Sequence, residues 1–176
     1  MRKFGVLTAT IFIAIILGGV YGIIHDQVTY SISPEYFTKF KYQQFGFEPA
    51  WFGGHRQTVA VIGFLATWWM GLIIGALLGL TGLIFSNHII MRKTIINGIK
   101  IVFVTAMLFA VIGFFWGKYH LIKTGVDWWL PDGLISKNRF IIVGSIHNFS
   151  YLGGIAGILF GITYLVRKRI LEPVSN

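Results

Sequence analysis

Four apolar runs, at 4–24, 58–85, 101–117 and 140–166, limit what this chain can become. No water inside a bilayer can satisfy a backbone that is not bonded to itself, so a span of about 20 apolar residues folds as a helix. The second run would measure roughly 42 Å as a helix, longer than a ~30 Å hydrocarbon core, and must tilt or protrude. The third run is barely long enough. Only 12% of residues are charged, against about a quarter in soluble proteins. The expectation is an all-α polytopic membrane protein. It has one membrane domain over 1–176, four transmembrane helices and a short external interfacial helix. Arg2 and Lys3 before the first run resemble a signal peptide, but no A-x-A-like site follows, so the run reads as a retained span.

Four spans put both termini on one side. Arg2, Lys3, Arg92, Lys93, Lys100, Arg167, Lys168 and Arg169 hug the span ends of that side. Lys39, Lys41, Arg56, Lys118, Lys123, Lys137 and Arg139 are spread over the longer loops of the other. Charges close to span ends weigh most in the positive-inside rule. Both termini and the 86–100 loop are therefore expected in the cytoplasm, and the membrane is read as a bacterial inner membrane. Asp26, Glu35, Glu48, Asp127 and Asp132 then fall outside and Glu172 inside. The net charge of +9 is a topology signal, and no nucleic-acid partner is expected. The absence of cysteine excludes disulfides, thiolate metal sites and iron–sulfur clusters.

Small residues four apart allow helix backbones to approach closely in lipid. Gly18 and Gly22 have that spacing on the first span, Gly71, Gly75 and Gly79 on the second, and Gly153, Gly157 and Gly161 on the fourth. These glycine zippers serve contacts within a bundle or between copies; a homo-oligomer or a larger membrane complex stays open. Trp68 and Trp69 read as bulky packing residues or an interface belt.

The first external loop is the most informative segment. Ser33 before Pro34 is a helix start, with serine as cap and proline at the first helical position. Tyr36, Phe37, Phe40, Lys39 and Lys41 follow, a mix suited to a helix on the membrane surface. Glu35 is either a favourable charge at the helix dipole or a ligand held over the bundle mouth. The run His25-Asp26-Gln27-Val28-Thr29, with Glu35-Tyr36-Phe37-Thr38, resembles a family of small bacterial membrane proteins that carries no assigned activity. The resemblance extends to Ala66-Thr67-Trp68-Trp69 with Gly71, and to His147 with Ser150-Tyr151-Leu152-Gly153-Gly154. It directs attention to His25, Asp26, Glu35 and His147, and away from His55, His88 and His120.

Helical spacing selects the same residues independently. Ala14, Gly18, Gly22 and His25 share one face, as do His147, Ser150, Gly154, Gly157 and Gly161, with Tyr151 alongside. The first and fourth spans are therefore expected as neighbours, their histidines facing one internal space. His25, Asp26, Glu35 and His147 are the candidate ligands of a divalent metal, with Ser150 and Tyr151 as a supporting polar face. Imidazole and carboxylate together suit zinc, iron or manganese. Two histidines could instead ligate haem, or the group could be a structural polar cluster. A nucleophilic reading of Ser150 lacks its elbow motif. Three functions stand: a metal or redox-cofactor site at the external boundary, a non-catalytic accessory or assembly subunit, and an oligomeric transporter or channel. The last lacks ionisable residues at mid-span.

Overall fold

The computed structural model describes residues 2–171, so the expectation for Glu172 lies outside the described residues. All regular structure among them is helical, in the order α1 (Arg2–Ile32), α2 (34–45), α3 (His55–Gly82), α4 (His88–Thr124) and α5 (Lys137–Ile170). Of these, α1, α3, α4 and α5 are long and apolar enough to cross a membrane. Lys3 Nζ donates to the carbonyls of Leu83 and Phe85, which sets the start of α1 beside the α3–α4 turn. α2 and the 125–136 connection cover the opposite end.

Two helices run past their apolar stretches, for local reasons. α1 does not end at residue 24. The Thr29 hydroxyl donates back to the His25 and Asp26 carbonyls, and the helix continues until Ser33 turns extended ahead of Pro34. The helix of the third run likewise reaches beyond 101–117 at both ends. Asn87 caps α4 by accepting from the Ile89 and Ile90 amides at 2.9 and 3.0 Å. Arg92, Lys93 and Lys100 are exposed, while Met91, Ile95, Gly98 and Ile99 are buried. The charges interrupt the apolar run and leave the helical face intact, so most of the expected 86–100 loop is helix.

α2 is the short helix expected after Ser33. Its backbone passes through a π-helical turn at Phe37–Lys41 and ends at Gly46, whose φ of 67° is open to glycine. One side of the segment packs against the bundle. Tyr36, Phe37, Tyr42 and Lys41 turn inward and are buried. Together with Val59, Ile62, Phe140 and Val143 they form an aromatic roof over the bundle. A second core of Ile74, Leu78, Met91, Ile95, Val102 and Leu165 fills the other end.

The bundle is built from two tight pairs. In the first, Gly18 lies against Gly71 of α3, and a Cβ on Gly22 would strike the Gly63 carbonyl and Thr67. Thr67 Oγ1 reinforces the crossing by donating to the carbonyls of Gly18 and Gly63, at 2.8 and 2.7 Å. Gly75 and Gly79 meet Ile11, Ala14 and Leu7. In the second pair, Gly153 and Gly157 pack on Ala106, Phe109 and Val102 of α4, while Gly161 faces Gly98. Ser145 donates to the Gly113 carbonyl at 2.8 Å. The glycine faces of α1 and α5 are thus used on α3 and α4. The two helices do not pack glycine to glycine; polar side chains bridge them.

The crossing at Gly71 predicts a steric response. Gly71→Leu drives a side chain into the Ala14 carbonyl and backbone and should destabilise by roughly 1–3 kcal/mol or more. Gly5→Ala, where a Cβ meets nothing within 4 Å, should leave the thermal midpoint in detergent unchanged. Equal midpoints for both variants would remove the close approach as a source of stability.

Candidate functional site

Between the two cores, the helix pairs enclose a polar cluster. The extension of α1 carries His25 and Asp26 into the bundle, and α5 brings His147 opposite. Asp26 is 3% and His147 5% exposed. Asp26 Oδ1 lies 3.1 Å from His25 Nδ1 and 3.1 Å from His147 Nε2. The two imidazoles meet edge to face with centroids 4.6 Å apart. One donor atom from each of His25, Asp26 and His147 falls within 4.8 Å of the others.

The hydrogen-bond inventory of this cluster does not close. His147 Nδ1 is 2.9 Å from the Val143 carbonyl, which can only accept, so that nitrogen carries the proton. Nε2 of a neutral His147 is then a lone pair directed at a carboxylate oxygen. Two acceptors at that distance need a proton or a cation between them. Two more atoms, His25 Nε2 and Asp26 Oδ2, are buried without a hydrogen-bond partner in the protein. A buried polar atom left unpaired costs about 1–3 kcal/mol. With both imidazoles neutral, the cluster is rich in lone pairs and short of positive charge. Two imidazoles and a carboxylate are also ligands that zinc, iron and manganese accept. Donation of the far ring nitrogen to a backbone carbonyl, as at His147, is how metal-binding histidines are usually oriented.

The cluster opens onto a cavity of about 40 Å³ lined by all four long helices, room for about three waters. Its lower wall is apolar, with Met70, Ile74, Val102 and Ala106; Tyr21, Ser150 and Tyr151 contribute hydroxyls. Tyr21 Oη and Ser150 Oγ pair at 2.7 Å, while Tyr151 Oη donates to the Ala66 carbonyl at 3.3 Å. Ser150 is thus engaged with Tyr21 rather than with His147, which removes the nucleophilic reading. Haem does not fit either. Both imidazoles contact the same carboxylate oxygen, and the space is far too small for a porphyrin. Trp69 stacks on Tyr151, and both Trp68 and Trp69 reach the bundle exterior.

Glu35 is not among the clustered residues. Its carboxylate accepts from the Ile135 and Ser136 amides, each at 2.8 Å, just ahead of the start of α5. Those amides, Ile135 first, hold the Glu35 carboxyl below its usual range. α2 folds back as a return would require, but delivers Glu35 to a helix terminus and Tyr36 to the site. Tyr36 stacks on His147 with centroids 4.8 Å apart. Lys41 is 6% exposed between Phe40 and Phe45. Burial pushes its amine below the usual value, and the negative charge of Asp26 pulls it some way back. Spacing could have flagged Tyr21, four residues before His25 on the same face. Tyr36 and Lys41 come from the fold-back of α2, which carries no local signal.

No protein-family model, curated protein or solved structure matches this chain.

The Glu35 contacts make stability dependent on acidity. Because the folded-state value lies below the unfolded one, the contribution is complete above about pH 4.3 and is lost as pH falls through the folded value. Glu35→Gln should therefore lower the thermal midpoint at pH 7, and the gap to wild type should close toward pH 3. A gap independent of pH would show that the carboxylate charge contributes nothing.

Proposed function

We propose that this is an integral protein of the bacterial cytoplasmic membrane that holds one divalent metal ion on His25, Asp26 and His147. Zinc, iron and manganese are the ions its ligands suit. The proposal is carried by one observation: with His147 Nδ1 donating to the Val143 carbonyl, Nε2 of the neutral ring and Asp26 Oδ1 are two acceptors 3.1 Å apart, a pair that a metal ion or a shared proton would bridge. The unpartnered His25 Nε2 and Asp26 Oδ2 support it. Three protein ligands leave at least one coordination position open, which favours a reactive or ligand-binding site over a structural one.

The surroundings favour a membrane-soluble ligand. Tyr36 and Phe37 close the site toward the loops, and Ile74 and Val102 close it toward the opposite core. The seam between α1 and α4 is covered by Tyr21 against Phe103, ring centroids 5.7 Å apart and both half-buried. No side-chain hydrogen bond among the described residues crosses that seam, whereas Tyr151 ties α3 to α5. A ligand from the bilayer could push these rings aside at little cost. A divalent ion would polarise an oxygen atom of such a ligand, with the Tyr21 and Ser150 hydroxyls placed to orient it. The basic residues Arg2, Lys3, Arg92, Lys93 and Arg167 to Arg169 favour both termini in the cytoplasm, which would put the metal site in the outer half of the membrane.

Elemental analysis of the protein purified from membranes tests the assignment. About one zinc, iron or manganese per chain is expected, and His147→Ala and Asp26→Ala should each remove it while the helical circular-dichroism signal persists. A wild-type protein that is metal-free and takes up none of these ions on titration would overturn the reading. The cluster would then be a proton-sharing polar triad in a non-catalytic accessory subunit.

A further inference from the structure

On the seam between α1 and α4, at the end carrying Lys3 and the α3–α4 turn, lies a groove of about 410 Å³. It is separate from the His25–Asp26–His147 cluster and shares no residue with the cavity there. Its floor is apolar, built from Ala9 and Ile13 on α1 and from Ile95 and Ile99 on α4. Gly5 deepens it. A Cβ at Gly5 would meet nothing within 4 Å, whereas Gly18 and Gly22 on the same helix are pressed against α3. The small residues at this end of α1 therefore leave space that no helix fills.

The mouth of the groove is cationic. Arg2, His88 and Arg92 line it, Arg2 and Arg92 are exposed, and none of the three side chains bonds to any described residue. A guanidinium matches a phosphate diester with two parallel hydrogen bonds. From Arg2 to Ile13 the groove rises roughly 16 Å along α1, close to the ~15 Å of hydrocarbon in one leaflet. Charge at the mouth and length of the apolar floor match the headgroup and the acyl chain of a single lipid molecule.

We propose that this groove binds an anionic phospholipid, its phosphodiester on Arg2 and Arg92 beside His88 and one acyl chain along Ala9, Ile13 and Ile99. The interaction is independent of the metal reading. Net negative charge on the headgroup selects the lipid, because a zwitterionic headgroup carries its own cation into the same mouth.

Native mass spectrometry of the full chain in detergent, titrated with phosphatidylglycerol or phosphatidylcholine, tests this. One phosphatidylglycerol should bind at least tenfold more tightly than phosphatidylcholine. The double variant Arg2→Gln/Arg92→Gln should abolish that preference, and Arg2→Lys/Arg92→Lys should restore some of it. Ala9→Trp, which fills the floor without touching a charge, should weaken binding of both lipids. Arg139→Gln, at the opposite end, should change nothing, and a large excess of inorganic phosphate should not displace the lipid. Equal binding of the two lipids, an unchanged preference in the double glutamine variant, or displacement by phosphate alone would each overturn the proposal. Thermal midpoints matching wild type show that a loss of preference is not a loss of fold.

Discussion

Helices in a bilayer gain nothing from leaving lipid for one another, because hydrocarbon is as apolar as a leucine face. Association must come from close van der Waals contact or from polar bridges, and this protein uses each in a different place. Within the α1–α3 and α4–α5 pairs, glycines bring backbone onto backbone, and Thr67 and Ser145 donate to carbonyls of the facing helix. Across the pairs, α1 is tied to α5 through Asp26–His147 and Tyr21–Ser150. The polar cluster therefore sits where the packing is least continuous, and that is also where a cavity survives.

This division explains how several ionisable groups come to be buried in so apolar a bundle. Asp26 lies between two imidazoles, and Lys41 enters from the roof between two phenyl rings. His25 Nε2 and Asp26 Oδ2 remain buried without a hydrogen-bond partner in the protein. The aromatic roof matters to the same chemistry. Tyr36 and Phe37 exclude water from His147, and electrostatic interactions strengthen where water is excluded.

The seam between α1 and α4 has the opposite character. Rings and aliphatic side chains meet there without a crossing hydrogen bond among the described residues. Near the roof it is closed by Tyr21 on Phe103. Toward the α3–α4 turn it opens into the groove with Arg2 and Arg92 at its mouth. Gly18, Gly19 and Gly22 of α1 all approach α3, so the α1–α4 seam is left to side chains.

The all-helical fold and its four membrane-length helices were legible in the sequence, because a bilayer admits one solution for an apolar run and because hydropathy is a local property. The inward faces of His25 and His147 were legible too, from spacing against glycine. Helix ends were not, since Asn87 and Thr29 act through hydrogen bonds that hydropathy does not register. Nor was the pairing of the helices. A glycine stripe announces that something will approach without naming what, and Gly18 met α3 where α5 was expected. The exchange of Glu35 for Tyr36 at the site was decided only by tertiary structure. One residue of rotation on a helix that folds back through a π turn chooses which side chain enters the bundle, and that rotation is set by contacts with Phe140, Val59 and the start of α5, all far away along the chain.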